Sequence, residues 1–140
     1  MQEQLKGIKV SDVMDPMPEC VEGNVSVETL VRENFIQRGR RAMPICHGGK
    51  LAGIVTLTDV KKLPQERWSM SSVESIMTRE PLYTVQKDDD LSAALKILAN
   101  HGLNQVPVLS DGQLAGLLSR ADIIRFMQMS QELGVVPKRR

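Results

Sequence analysis

Thr56 with Asp59, and Ser119 with Asp122, each pair a hydroxyl with a carboxylate three residues later. An ionised carboxylate only accepts hydrogen bonds, so it suits a ligand that presents two neighbouring hydroxyls. A hydroxyl at the start of a helix, beside N–H groups that have no intrahelical partner, suits a phosphate oxygen. Thr58 adds a second hydroxyl next to Asp59, and cations stand near both pairs: Arg38, Arg40 and Arg41 before the first, Arg120 directly after Ser119. The arginine cluster can face a di- or triphosphate, or form salt links with Glu28, Glu33 or a partner chain. A plainer reading of the same residues stays open. Thr56, Thr58 and Ser119 are good helix N-caps, and Asp59 and Asp122 are first-turn acids that complement the helix dipole.

The elements that position these pairs are read from an internal repeat. Displaced by 63 residues, Val10-Ser-Asp-Val-Met14 falls on Val73-Glu-Ser-Ile-Met77, and Pro44-Ile45 on Pro107-Val108. Gly49-Lys-Leu-Ala-Gly-Ile-Val-Thr56 falls on Gly112-Gln-Leu-Ala-Gly-Leu-Leu-Ser119, with Asp59 on Asp122. Each copy reads helix, strand, helix, strand, strand, helix. Ser11 and Ser71 are candidate caps of the short first helices. Short strands are expected around Glu19–Val21 and Leu82–Val85. Asp88–Asp90 supply carboxylates at a helix start, followed by the apolar face Leu91, Ala94, Leu95 and Leu98; the first copy offers Val27, Leu30, Val31 and Phe35. The first copy has one residue more between this helix and its proline. Hairpins follow, Met43–Cys46 with Leu51–Val55 and Val106–Leu109 with Leu114–Leu118, and glycine in each turn provides the positive φ a tight hairpin needs. The fold class is α/β (α+β), with domains at 8–67 and 68–130 and a tail at 131–140. Units of this size are marginal alone, so the copies are expected to pack together, with the recurring Met14 and Met77 at their junction.

Composition narrows the function. Net charge is +1 and aromatics make up 3% of the chain, which argues against nucleic acid as a partner. No run approaches the ~20 apolar residues of a membrane span, so direct membrane insertion is not expected. Cys20 and Cys46 lack metal-ligand or CxxC spacing and read as buried thiols of a reduced, cytoplasmic protein. His47 and His101 are isolated; with no assembled acid, base and nucleophile, no catalytic residue and no metal site is expected. Trp68, beside Pro64, is expected to cover an edge of the core.

The repeat resembles the CBS family, in which a hydrophobic-Pro-Val strand precedes a Gly-hydrophobic-x-Thr/Ser-x-x-Asp segment. Here these are Met43-Pro44-Ile45 with Gly53–Asp59, and Val106-Pro107-Val108 with Gly116–Asp122. A narrower likeness, in Leu30–Glu33, Arg38–Pro44 and Leu63–Trp68, is to the CBS pair attached to microbial site-2 proteases, which are intramembrane zinc enzymes. The resemblance implies two units related by a pseudo-two-fold axis and a regulatory, non-catalytic role. It implies that Asp59 or Asp122 holds ribose and that the hydroxyl residues face phosphate. Adenine is then held among Val21, Met43, Pro44 and Ile45, or among Val85, Val106, Pro107 and Val108, with Arg41 and Arg120 nearby. The candidate ligands are AMP, ADP, ATP and S-adenosylmethionine, with no cofactor required. Ligand in the cleft between repeats is expected to change their angle and so report to an attached or partner protein, such as a membrane-embedded protease domain of the same parent chain at the cytosolic face of the membrane. A purely structural dimerisation module is the alternative. The resemblance also implies a homodimer, with Val60, Leu63 and Ile123–Met127 as candidate contact residues.

Overall fold

The computed structural model describes residues 5–16 and 20–135. Its strands are β1 (Asp15–Pro16), β2 (Val21–Glu22), β3 (Ala42–His47), β4 (Lys50–Thr56), β5 (Val85–Gln86), β6 (Gln105–Ser110) and β7 (Gln113–Ser119). The helices are α1 (Val27–Leu30), α2 (Leu57–Lys61), α3 (Leu91–Asn100) and α4 (Arg120–Leu133), with 3-10 turns at Val10–Asp12, Gln65–Met70 and Val73–Ser75. The chain forms two compact units, one from residues 19–82 and the other from residues up to 18 together with those from 83 onward. The spatial units therefore differ from the sequence repeats: each repeat gives its first segment to the unit built mainly by the other.

In the 19–82 unit the sheet order is β2-β3-β4, with β2 parallel and β4 antiparallel to β3. In the second unit it is β1-β7-β6-β5, with the same senses for β5 and β7 against β6. The ladders repeat residue for residue. Ala42 faces Thr56 as Gln105 faces Ser119, Ile45 faces Gly53 as Val108 faces Gly116, and a bulge follows Ile45 and Val108 alike. The turns behave as expected: Gly48 and Gly49 in one hairpin, Asp111 and Gly112 in the other, all have positive φ, the geometry that matches strand twist in a two-residue turn.

Pro44 and Pro107 sit on interior strands, where a missing N–H is ordinarily costly. Their partners show why it is tolerated. Ile54 exchanges both backbone hydrogen bonds with Thr78 on its other side (3.0 and 2.9 Å), so Pro44 faces it across a non-hydrogen-bonded pair. Its nitrogen points instead toward the side where β2 offers only Val21 and Glu22, opposite Ile45 and Cys46. Pro107 faces Leu117, which β1 covers through Asp15, in the same way.

The close approach of these crossing segments explains the glycines of the repeat. A Cβ on Gly53 would stand 2.7 Å from the Thr78 carbonyl oxygen and 2.7 Å from Met77 Sδ; one on Gly116 would stand 2.6 Å from the Asp15 oxygen and 2.8 Å from Met14 Sδ. Met14 and Met77 thus lie where one repeat crosses the sheet of the other, as expected of the junction.

The extra residue of the first copy has a definite place. Ser26 and Asp90 cap the equivalent helices and are 64 residues apart, whereas Pro44 and Pro107 are 63 apart. The surplus residue is taken up as a π-helical turn, Val31–Ile36, continuing α1; one added residue in a helix widens a turn in this manner. The apolar faces are buried as expected, with Val27, Leu30, Val31 and Phe35 in one unit and Leu91, Ala94 and Leu98 in the other. In the second unit, Leu5, Ile8, Val10, Val106, Val108, Leu118 and Ile123 complete the core.

Several expectations are corrected. Neither Ser11 nor Ser71 caps a helix; the 3-10 turns open at Lys9 and Ser72, and Lys9 N–H donates to Asp12 Oδ2 at 3.1 Å. The strand expected over Leu82–Val85 forms at Val85–Gln86, and Glu19, Met17, Pro18 and the Lys138–Arg140 tail lie outside the described residues. Cys20 and Cys46 are not free thiols: they form a disulfide with Cα atoms 5.8 Å apart. Val60 and Ile123 are buried in their own units and offer no dimer contact. Trp68 is half-buried, its indole N–H held by the Leu63 carbonyl at 3.1 Å.

Candidate functional site

The first set of sequence candidates gathers on one sheet of the 19–82 unit. Val21 faces Ile45 on β2 and β3; Met43 and Pro44 face Val55 and Ile54 on β4. β4 ends at Thr56, opposite Ala42, and the chain turns there into α2. Met43, Pro44 and Ile45 are buried, and Val21 is half-buried. The Leu57 N–H donates to the Arg41 carbonyl at 3.2 Å, which sets Arg41 beside the first turn of α2 with its side chain exposed. Thr58 is exposed.

Thr56 and Asp59 form a reciprocal capping box. Asp59 N–H donates to Thr56 Oγ1 (3.3 Å), while Asp59 Oδ2 accepts from Thr56 N–H (2.9 Å) and from the Thr56 hydroxyl (3.2 Å). The box satisfies helix-start donors, so the plain capping reading holds, and it also fixes the rotamer of the carboxylate. Asp59 Oδ1 has no hydrogen-bond partner among the described residues.

The second set gathers identically: Val85 faces Val108, Pro107 faces Leu117, and β7 ends at Ser119 before α4. Asp122 N–H donates to Ser119 Oγ at 3.0 Å, and Asp122 Oδ2 accepts from Ser119 N–H at 3.3 Å. Two side chains make this set differ. Arg125, one helical turn on, donates from Nη1 to Asp122 Oδ1 at 3.2 Å, so both carboxylate oxygens are engaged. Arg120 donates from Nε to the Leu103 carbonyl (2.6 Å) and from Nη2 to the Leu98 carbonyl (2.9 Å). It ties the Leu98 carbonyl of α3, which also accepts from the Leu103 N–H at 2.8 Å, to the Leu103 carbonyl just past the helix end, a structural task of the kind a cation performs at a helix C-terminus. Sequence reasoning passed over Arg125, although its i,i+3 spacing from Asp122 on a helix is a readable signal.

Among the arginines before β3, Arg38 and Arg41 are exposed and Arg40 is half-buried, its N–H held by the Asn34 carbonyl at 3.1 Å. Glu33 is 3.7 Å from Arg32, its sequence neighbour. His47 lies 4.0 Å from Glu74, and His101 stacks on Tyr83 with ring centroids 3.8 Å apart. Among the described residues no group of three or more His, Cys, Asp or Glu side chains is placed to hold a metal ion, and no helix is long and apolar enough to cross a membrane.

The CBS domain family matches residues 10–66 and again 73–129. The chain belongs to the CBS domain family. It is a tandem CBS pair, a regulatory rather than a catalytic kind of module. An A-adding tRNA nucleotidyltransferase of Aquifex aeolicus is 32% identical over 89% of the CBS pair and 15% of its own length. A putative zinc metalloprotease of Synechocystis is 24% identical over 93% of the pair and 35% of its own length. A zinc metalloprotease of Methanocaldococcus jannaschii is 28% identical over 89% and 33%. The CBS pair thus spans about a third or less of these relatives. Among solved structures, a CBS pair in complex with 5′-methylthioadenosine and S-adenosyl-L-methionine superposes with a TM-score of 0.76 at 25% identity, covering 87% of this chain and 97% of that one. CBSX2 in complex with AMP superposes at 0.74 and 25% identity, covering 88% and 98%.

Proposed function

We propose that this CBS pair senses an adenosine-containing ligand (AMP, ADP, ATP or S-adenosylmethionine) and passes the signal to an attached or partner protein. The first set of residues is the principal site: Asp59 accepts from the ribose hydroxyls, Thr56 and Thr58 lie toward phosphate with Arg41 beside them, and Val21, Met43, Pro44 and Ile45 flank the base. The observation that carries this choice is the state of the two carboxylates. Asp59 is held in place by Thr56, with no partner on Oδ1 among the described residues, whereas Asp122 already has Arg125 on Oδ1. Ser119, Asp122, Val85, Val106, Pro107 and Val108 make a second, weaker site, with Arg120 kept to its α3 contacts. The structures solved with AMP and with S-adenosyl-L-methionine support the ligand class. Calorimetric titration of nucleotide-free protein with the four ligands tests the reading; binding by none of them overturns it.

Among attached proteins, an intramembrane zinc protease is favoured by the likeness in Arg38–Pro44 and Leu63–Trp68 and by the two metalloprotease relatives. The nucleotidyltransferase relative, at 32% identity, shows that the same module type occurs beside other enzymes. Dimerisation is a second reading, alongside ligand sensing or in its place. Ile124, Met129 and Leu133 of α4 are 53%, 52% and 67% exposed, an apolar cost that a partner copy would remove.

A further inference from the structure

We infer that the Cys20–Cys46 disulfide is a redox modification site, reducible by a dithiol, that gates ligand binding at the first site. The inference rests on the nucleotide reading above. Cys46 is buried on β3 next to Ile45, and half-buried Cys20 directly precedes Val21 at the start of β2. Among the described residues β2 is held to β3 by two residue pairs, Val21 with Ile45 and Glu22 with Cys46, and by the Gly23 N–H to Cys46 carbonyl bond at 3.0 Å. The disulfide is therefore the covalent tie on the edge strand that carries Val21 opposite Ile45, two of the four residues flanking the base. The other unit builds the same edge, Val85 with Val108 and Gln86 with Leu109, with Thr84 and Leu109 in the corresponding places. A sheet that forms without the bond in one unit does not need it in the other, so its presence marks one site and not the fold.

The chemistry is thiol–disulfide exchange. A reductant thiolate attacks the more accessible Cys20 sulfur, the S–S bond breaks, and Cys46 leaves as a thiolate and is protonated. The second reductant thiol then displaces Cys20, so the dithiol loses two electrons and the protein gains two thiols. β2 is left on its few hydrogen bonds, and the base site loses preorganisation.

The test uses the full chain carrying Asp122→Asn, so that AMP titration reports the first site. Thiol counting should find none before dithiothreitol and two after. Reduction should weaken AMP binding by about tenfold or more, as loss of preorganisation does, and reoxidation should restore it. Gly23 amide exchange should accelerate, and Cys20→Ser without reductant should match the reduced protein. Equal AMP affinity in both redox states overturns the gate and leaves the nucleotide reading standing. Two free thiols before reductant, or loss of circular dichroism on reduction, overturn the gate as well. Binding of AMP in neither state overturns the nucleotide reading, and the gate with it.

Discussion

Asp59 and Asp122 occupy the same position in the first turn of α2 and of α4, each closes a capping box with the hydroxyl residue three before it, and Asp122 has Arg125 as a further neighbour. A carboxylate that caps its own helix with one oxygen is oriented without being consumed, so capping and ligand binding are compatible at Asp59. Asp59→Asn keeps the shape and an acceptor for Thr56 but loses the charge. A charge-assisted hydrogen bond contributes ~1.5–3 kcal/mol, so titration should show affinity falling about 10- to 100-fold. The melting transition without ligand should move by less than about 1 kcal/mol, the scale of a first-turn dipole interaction. Unchanged affinity for every nucleotide removes Asp59 from the site. Arg125→Ala frees Asp122 Oδ1, and because an exposed pair contributes ~0–1 kcal/mol, stability should barely change. Titration should then show the second site binding more tightly; no change there means that Arg125 does not decide the asymmetry. The hydroxyl–carboxylate spacing was legible in the sequence. The Arg125 contact with Asp122 was also readable, from its i,i+3 spacing on one helix; the Arg120 contacts with Leu98 and Leu103 were not, because they depend on where the end of α3 comes to lie.

The elements show the same division. Hairpins, turn glycines and buried helix faces follow from local periodicity and φ preferences, and they fell where the pattern placed them. The one-residue surplus was countable, but its absorption as the π turn Val31–Ile36 depends on Phe35 and Val31 both staying buried. Gly53 and Gly116 appear in the sequence only as repeated letters; the crossing segments give them their reason. Gly53→Ala forces a methyl against the Thr78 carbonyl, a backbone atom that cannot swing aside. Overpacking of this kind costs ~1–3 kcal/mol, so urea unfolding should show that loss with the slope unchanged. A variant as stable as the parent would mean the crossing is looser than this contact implies.

Over the whole molecule, the exchange of first segments makes neither repeat a complete folding unit. A fragment of residues 19–82 contains β2, β3, β4 and the Met77–Thr78 segment that covers Ile54. A fragment of residues 8–67 has the same length class but leaves the β4 edge uncovered, a row of unpaired backbone groups. The first should unfold cooperatively in urea and the second should aggregate or lack a transition; equal behaviour would deny the exchanged segments a stabilising role. Sedimentation of the full chain at micromolar concentration tests the α4 surface: a dimer is expected, and Leu133→Lys should shift it toward monomer. Monomer alone in the parent sets the dimer reading aside.

The sequence by itself determined the duplication, the longer helices and strands of each copy, the hairpins, the family and the candidate carboxylates, because periodicity, turn chemistry and a fixed 63-residue offset are local or self-comparing signals. Only the tertiary structure decided which segment completes which sheet, why the glycines are needed, that Cys20 meets Cys46, and which aspartate keeps an open oxygen. Each of these joins residues separated along the chain or turns on a particular side-chain contact. Whether two such groups meet depends on how the whole unit packs, which residue type and spacing do not specify.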